Sequence, residues 1–113
     1  MKKLTFNFDT PQIDVNGHIF ELKVSDIDVV EMALKASFEF KNIKSDDVDA
    51  IISAVRKCEQ YIDTMLGEGA LKKISGGKPV SLIKAVDVMT AIARETAIAY
   101  NERINDEYDI LTK

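Results

Sequence analysis

The feature that most constrains the fold is a change of hydrophobic period at Ser25. Before it, apolar and polar residues alternate in two short runs on either side of Asn16-Gly17. Alternation predicts strands, and Asn-Gly between two such runs is the strongest local signal for a two-residue hairpin turn. The stretch "LTFNF" at residues 4–8 also alternates. We therefore predict an N-terminal β-hairpin within about residues 4–24, and the pattern leaves a third short strand open.

After Ser25 the apolar residues recur at the helical period of about 3.6. They predict three helices, over about residues 26–41, 46–66 and 81–107. Their start signals are Ser25, then Ser45 or Asp46, then Pro79 with Ser81. Residues 67–80 are predicted to be a loop with one short helical turn at "ALKKI", and the charged end "NDEYDILTK" is expected to fray. Strands followed by helices indicate a single α+β domain, mainly α, over residues 1–113.

The segment "MLGEGALKKISGGKPV" raises the question of a phosphate-binding loop. It contains four glycines and three lysines. A P-loop would need glycine at Lys72 and a hydroxyl residue at Pro79, and a dinucleotide-binding loop would also need glycine at Lys72. Both patterns fail, so we interpret Gly67 as the left-handed cap of the second helix and Gly76-Gly77 as a turn. Weak anion binding by the lysines is the alternative.

Composition argues against several classes of function. The formal charge is −4 and the pI is about 5.0, whereas nucleic-acid-binding surfaces are normally basic. One cysteine and one histidine can form neither a disulfide nor an ordinary zinc site. No run approaches the roughly 18 apolar residues of a membrane span, and no apolar run follows the N-terminal lysines. We expect a soluble, intracellular protein with no membrane span and no signal peptide.

Three isolated side chains could carry chemistry, and each has a simpler interpretation. His18 flanks the hairpin turn and has no evident catalytic partner, so we interpret it as a solvent-facing strand residue. Cys58 lies in the apolar arc of the second helix and is expected to be a small buried residue. Glu59 lies at the edge of that arc, with its carboxylate in water or near a lysine. The sequence therefore predicts no enzyme and no cofactor.

The first predicted helix carries more apolar surface than one packing interface needs. Ile27, Val30, Leu34 and Phe38 form one stripe, and beside it lies a second stripe of Val29, Ala33, Ala36 and Phe40. Together they cover roughly 200° of the helix, whereas one interface needs about 100°. Either this helix is packed on both sides, or one stripe faces a partner. The partner-binding candidates are Val29, Met32, Ala36 and Phe40.

The layout resembles the small tail-assembly chaperones of tailed phages and prophages. The resemblance covers almost the whole chain, and it is carried by "NGHIFEL" running into "SDIDVVE", by "LGEGALKKISGG" and by the long last helix. It implies a non-catalytic, mostly helical protein of the bacterial host cytoplasm, without a cofactor. Its implied partners are the tape-measure protein and the tail-tube protein during tail assembly, and such proteins often self-associate into homo-oligomers.

Two other functions remain open from the sequence. A permanent structural protein of the phage, such as a head–tail connector or neck subunit, would also combine a hairpin with exposed apolar helix faces. A small enzyme or anion-binding module would use the lysine–glycine segment.

Overall fold

The computed structural model describes residues 2–5, 10–39 and 47–112, and the side chains of all of these except residues 37 and 105–112. The hairpin strands are β1 (Gln12–Val15) and β2 (His18–Glu21). They are followed by α1 (Ile27–Glu39), α2 (Val48–Leu66), α3 (Ala70–Ser75) and α4 (Leu82–Thr112). The fold is α+β and mainly helical, with an N-terminal hairpin, as predicted. Leu4 and Thr5 are outside any strand, and the rest of the predicted third strand lies outside the described residues.

The hairpin closes through the predicted two-residue turn. The strands are antiparallel, with Val15 opposite His18, and both turn residues have positive φ, 53° at Asn16 and 85° at Gly17. That combination is what a type I′ turn requires. The Gly17 N–H donates to Asp14 Oδ1 at 2.8 Å. At the tip, Asn16 Nδ2 donates to the carbonyl of Ile74 at 3.0 Å, which fastens the hairpin to α3.

The helices begin at side chains that accept bonds from exposed backbone N–H groups, as helix starts require. Asp26 Oδ1 accepts from the N–H groups of Asp28 and Val29, so α1 is capped by Asp26 and the prediction of Ser25 was wrong by one residue. Asp47 caps α2, so the prediction of Ser45 or Asp46 as the cap was wrong by two residues or by one. Ser81 Oγ accepts from the N–H of Lys84 at the predicted start of α4.

Two elements differ from the predicted helix bounds. The short helical turn predicted at "ALKKI" is the six-residue helix α3, so the described chain has four helices where three helices and one turn were predicted. The last helix also continues to Thr112, beyond the predicted end near residue 107. Residues 82–112 contain no glycine or proline, so nothing in the local sequence terminates the backbone hydrogen bonding of α4.

The hydrophobic core lies where α1 and α2 pack against α4. The hairpin and the following segment add Phe20, Leu22 and Val24 to one end of it. The side chains of Ile62, Met65, Met89 and Ile92 form its centre, and each is at most 2% exposed. The one buried polar side chain among the described residues, Thr96, donates to the carbonyl of Ile92 at 2.8 Å, so its burial leaves no unsatisfied hydroxyl.

Candidate partner-binding surface

The structure distinguishes the two apolar stripes of α1 and corrects the choice of candidate surface. Val29 and Ala36 are 4% and 1% exposed, and Met32 is partly buried against the core. Phe40 lies outside the described residues. Side chains that are buried among the chain's own residues cannot contact a partner in this conformation. The surface of α1 that is open to a partner is therefore a different one.

The open surface is the other stripe of α1. Ile27, Leu34 and Phe38 are 62%, 52% and 66% exposed. Their spacing of seven and then four residues keeps them on one side of the helix. Val30, which the sequence placed in this stripe, is buried. The core side of α1 instead presents Ala33 and Ala36, and small side chains let two helices approach closely. Those alanines were the signal that could have identified the packed side.

A groove between α1 and α4 runs beside this stripe. Its volume is about 300 Å³. It is lined by Ala33, Leu34, Phe38, Thr90, Ala93, Arg94 and Ala97, and we call it the α1–α4 groove. The alanines Ala33 and Ala93 are each 3% exposed and form its floor, while Leu34 stands at its edge. The groove is thus mainly apolar, with small residues at the bottom and larger ones at the rim.

Few charged side chains lie at the groove, and one of those described is free to pair with a charge on a partner. Next to Leu34 on α1, the Lys35 Nζ already donates to Glu31 Oε1 at 2.7 Å. Arg94 lines the groove from α4 and forms no ion pair or hydrogen bond among the described residues. A guanidinium at the rim can accept a carboxylate in bidentate geometry.

Further exposed apolar side chains lie on α4. Ile98 and Ile104 are 44% and 42% exposed. Ile104 follows Ala97 by seven residues, so it continues the groove side of α4 along the helix. Of the residues that the sequence placed off the main stripe of this helix, Val88 is half-buried, whereas Ala91 and Ile98 are exposed.

At its other edge α1 is held to α2 by a charged contact. Glu39 accepts hydrogen bonds from Lys57 Nζ and from the Tyr61 hydroxyl. The bond from Lys57 and then that from Tyr61 lower the pKa of Glu39. The bond to Glu39 correspondingly raises the pKa of Lys57 and that of Tyr61. This contact orients the C-terminal part of α1 relative to the helix beside it.

The lysine–glycine segment is organised around α3 and does not present a phosphate cradle. The N–H groups of Gly76, Gly77 and Lys78 donate to carbonyls at the end of α3, so they are not aimed at a ligand. Gly76 has the left-handed conformation that ends this helix. Gly67 ends α2 with φ 122° and ψ 155°, which is not the left-handed cap that we predicted.

The isolated side chains occupy places close to those expected. Cys58 is fully buried, and desolvation raises the pKa of its thiol to about 11. His18 is exposed on the hairpin. Glu59 is half-buried beside a cavity of about 300 Å³ that Lys72 and Lys78 also line. Within the described ranges, no three His, Cys, Asp or Glu side chains are grouped so as to hold a metal ion.

These features define a small helical domain with an apolar groove between two of its helices. Residues 16–112 match DUF6673, a family of unknown function, and the chain belongs to that family. No curated protein matches the chain, and no solved structure does. Among the described residues, no helix has the length and apolar character needed to cross a membrane.

Proposed function

We propose that this protein is a phage or prophage tail-assembly chaperone that acts without catalysis in the bacterial host cytoplasm. Its clients would be the tape-measure protein and the tail-tube protein. The mechanism would be hydrophobic capture, in which exposed apolar side chains of the chaperone cover amphipathic segments of a client until tube subunits replace them. The resemblance in layout supports the identity of the clients, and the exposed stripe of α1 supports the mechanism.

The observation that carries this proposal is the exposure of Ile27, Leu34 and Phe38 on one side of α1. Exposed large apolar residues that fall together, beside a groove, mark interaction surfaces more often than single ones do. Capture must also be reversible. A contact limited to one helix side is small, and small interfaces belong to the weak and transient class. The formal charge of −4 would help to keep a loaded complex soluble.

Co-expression tests the proposal directly. The bait is the full chain, and the prey is the product of the next long open reading frame downstream of its gene, which we expect to be the tape-measure protein. We expect the tape-measure protein to become soluble and to co-purify with the chaperone. If it stays insoluble and nothing is retained, the chaperone function is wrong.

A head–tail connector or neck subunit is the second candidate. The observation in its favour is a separate pair of exposed apolar residues on α2, Val48 and Ile52, at 64% and 46% exposure. A ring subunit needs two contact surfaces, one for each neighbour. Mass spectrometry of purified particles separates the candidates. A connector is present in fixed copy number, whereas an assembly chaperone is absent from finished particles.

A further inference from the structure

We propose that the α1–α4 groove is the client site, and that its occupant is an amphipathic helix with an acidic side chain beside its apolar face. This inference rests on the proposed function and specifies where the client binds and what chemistry it presents. Three properties of the groove carry it: its length, the small residues of its floor, and the charge at its rim.

The length of the groove suits one or two turns of helix. Leu34 and Phe38 line it from α1, and Ala93 and Ala97 line it from α4. Each pair is four residues apart, which is about 6 Å along a helix axis. An occupant with the same repeat can place large apolar side chains at positions i and i+4 into such a groove.

The floor of the groove admits side chains but excludes a strand. Ala33 and Ala93 are almost fully buried, so their methyl groups form a shallow apolar surface between the two helices. Large residues of a client helix could therefore rest on the alanines and contact Leu34 from the side. An extended peptide would need free backbone N–H and C=O groups to pair with. Both walls are helices, whose backbone groups are already bonded internally.

The positive charge of Arg94 at the rim of the groove favours a bound helix with an acidic side chain next to its apolar face. Arg94 lines the groove and forms no ion pair among the described residues, whereas Glu31 and Lys35 beside Leu34 are bonded to each other. A client carboxylate next to the apolar face would pair with Arg94. The chain as a whole carries a charge of −4, so an acidic helix would be repelled over much of the surface. Arg94 would thus favour one docking position over others.

The contact between one groove and one client helix is weak. A groove this short buries far less than the roughly 1,000 Å² expected of a stable interface. A long client with many similar helical segments would instead load several chaperones. Each would exchange quickly, which is what replacement by tube protein needs.

The test compares full-length variants in co-expression with the tape-measure protein. Leu34→Asp places a charge at the groove edge, and Ala97→Glu fills the groove from the α4 side. Ile52→Asp is the matched control, because Ile52 has similar exposure and lies on α2, away from the groove. We expect both groove variants to retain at least tenfold less tape-measure protein per chain than the wild type, and Ile52→Asp to retain as much. Circular dichroism melting confirms that each variant is folded, and Leu34→Ser replaces Leu34→Asp if the latter is not.

The outcomes separate this inference from the proposed function. If the wild type retains nothing, the chaperone function fails and the inference fails with it. If the wild type and both groove variants retain the client equally, the function stands and the groove is not the site. If light scattering shows a dimer of the free chain that Leu34→Asp converts to a monomer, the occupant is a second copy and the client assignment is overturned.

Reversing the charge of the peptide, and then that of Arg94, tests whether Arg94 pairs with an acidic side chain of the client. The probes are 25-residue synthetic peptides tiled along the tape-measure protein, and the tightest binder is remade with lysine in place of its acidic flank. We expect wild type to bind the acidic peptide about threefold to fivefold more tightly than the lysine peptide, the size of an exposed ion pair. Arg94→Glu should reverse that preference. An equal loss of affinity for both peptides in Arg94→Glu would show that Arg94 does not pair with the flank.

Discussion

At the scale of single residues, exposed and buried side chains of α1 lie within one helical turn of each other. Leu34 is 52% exposed and Ala36 is 1% exposed. We expect Ala36→Asp to lower the free energy of unfolding by about 3–5 kcal/mol, because an unpaired charge would be placed in the core. Leu34→Asp should change it by less than about 1 kcal/mol, as surface substitutions usually do. Urea unfolding followed by circular dichroism measures both, and equal effects would contradict the assigned orientation of α1.

Periodicity alone could not decide which stripe of α1 faces inward, because both stripes are apolar and periodicity measures only where apolar residues fall. Val29 and Ala36 were assigned to a partner on that basis and lie in the core. The missing information was the shape of the opposing surface. On α4, the buried positions include Ala85 and Ala93, so two alanine-bearing sides meet, and the bulkier Leu34 is left outside.

The buried thiol of Cys58 makes a second prediction at this scale. Desolvation raises its pKa from 9.0 to about 11. Between pH 9 and pH 11 the thiol stays protonated in the folded chain, whereas it loses its proton in the unfolded chain. The contribution of the protonated thiol to the free energy of unfolding is therefore present below pH 9 and is lost as the pH rises to about 11. We expect the stability difference between wild type and Cys58→Ala to shrink over that range, by at most about 1.4 kcal/mol per pH unit.

Urea titrations at pH 8, 9, 10 and 11 measure the Cys58 effect, with both proteins sharing every other titrating group. A difference that is constant with pH would refute the buried, protonated thiol. Reaction with a thiol reagent provides an independent check, since the native protein at pH 8 should react far more slowly than the protein in urea.

At the scale of elements, the hairpin is positioned by a bond that no local pattern could reveal. The Asn16-Gly17 turn was predictable from two residues, but the bond from Asn16 to the carbonyl of Ile74 joins residues 58 positions apart. Asn16→Asp keeps the size of the side chain and tolerates the positive φ of the turn, but its carboxylate cannot donate to the carbonyl of Ile74. We expect a loss of about 0.5–1.5 kcal/mol, typical of one hydrogen bond. Thermal unfolding measures it, and no loss would mean that the tip is not fastened to α3.

The contact of Glu39 with Lys57 and Tyr61 predicts a dependence on acid pH. The pKa of Glu39 is lowered from 4.5. Just below pH 4.5 the Glu39 carboxylate therefore stays ionised in the folded chain, whereas it is protonated in the unfolded chain. Its contribution to stability is therefore present above about pH 4.5 and is lost as the pH falls through the lowered pKa. We expect wild type to melt higher than Glu39→Gln at pH 6 and the gap to close toward pH 3.

Glu31→Gln is the matched control for that experiment. Its carboxylate is also bonded to a lysine, but within one helix rather than between two. We expect a smaller gap at pH 6 for this control. A larger gap for Glu31→Gln than for Glu39→Gln would mean that the contact between α1 and α2 does not stabilise their packing.

Helices and strands were predictable where the local sequence determines them, and they were less predictable where tertiary packing determines them. Alternation, helical period and capping side chains placed the hairpin and the starts of the long helices to within a residue or two. Helix α3 is only six residues long, which is too short to be stable through its own propensity. It forms because Ala70, Leu71 and Ile74 are buried against the core, and that burial is a property of the assembled chain.

At the scale of the whole molecule, the long last helix sets an elongated shape. The principal extents are 66, 28 and 17 Å, and the radius of gyration is 16.8 Å, whereas a compact domain of 100 residues has about 13 Å. Helix α4 has 31 residues, which corresponds to about 46 Å. An elongated chain has more surface for its core volume. This is why Ile27, Leu34, Phe38, Ile98 and Ile104 can remain exposed beside a well-packed interior.

The balance of net charge and exposed apolar surface makes the last prediction. At pH 7 the chain carries a charge of −4, and the charge falls to zero near the pI of about 5.0. Charge repulsion then no longer opposes contact between exposed apolar stripes. We expect turbidity and light scattering to peak near pH 5 and to be lower in Leu34→Asn, which removes apolar surface without changing the charge. Ile52→Asn tests whether α2 contributes equally. If the peak is the same in wild type and Leu34→Asn, the α1 stripe does not cause this association.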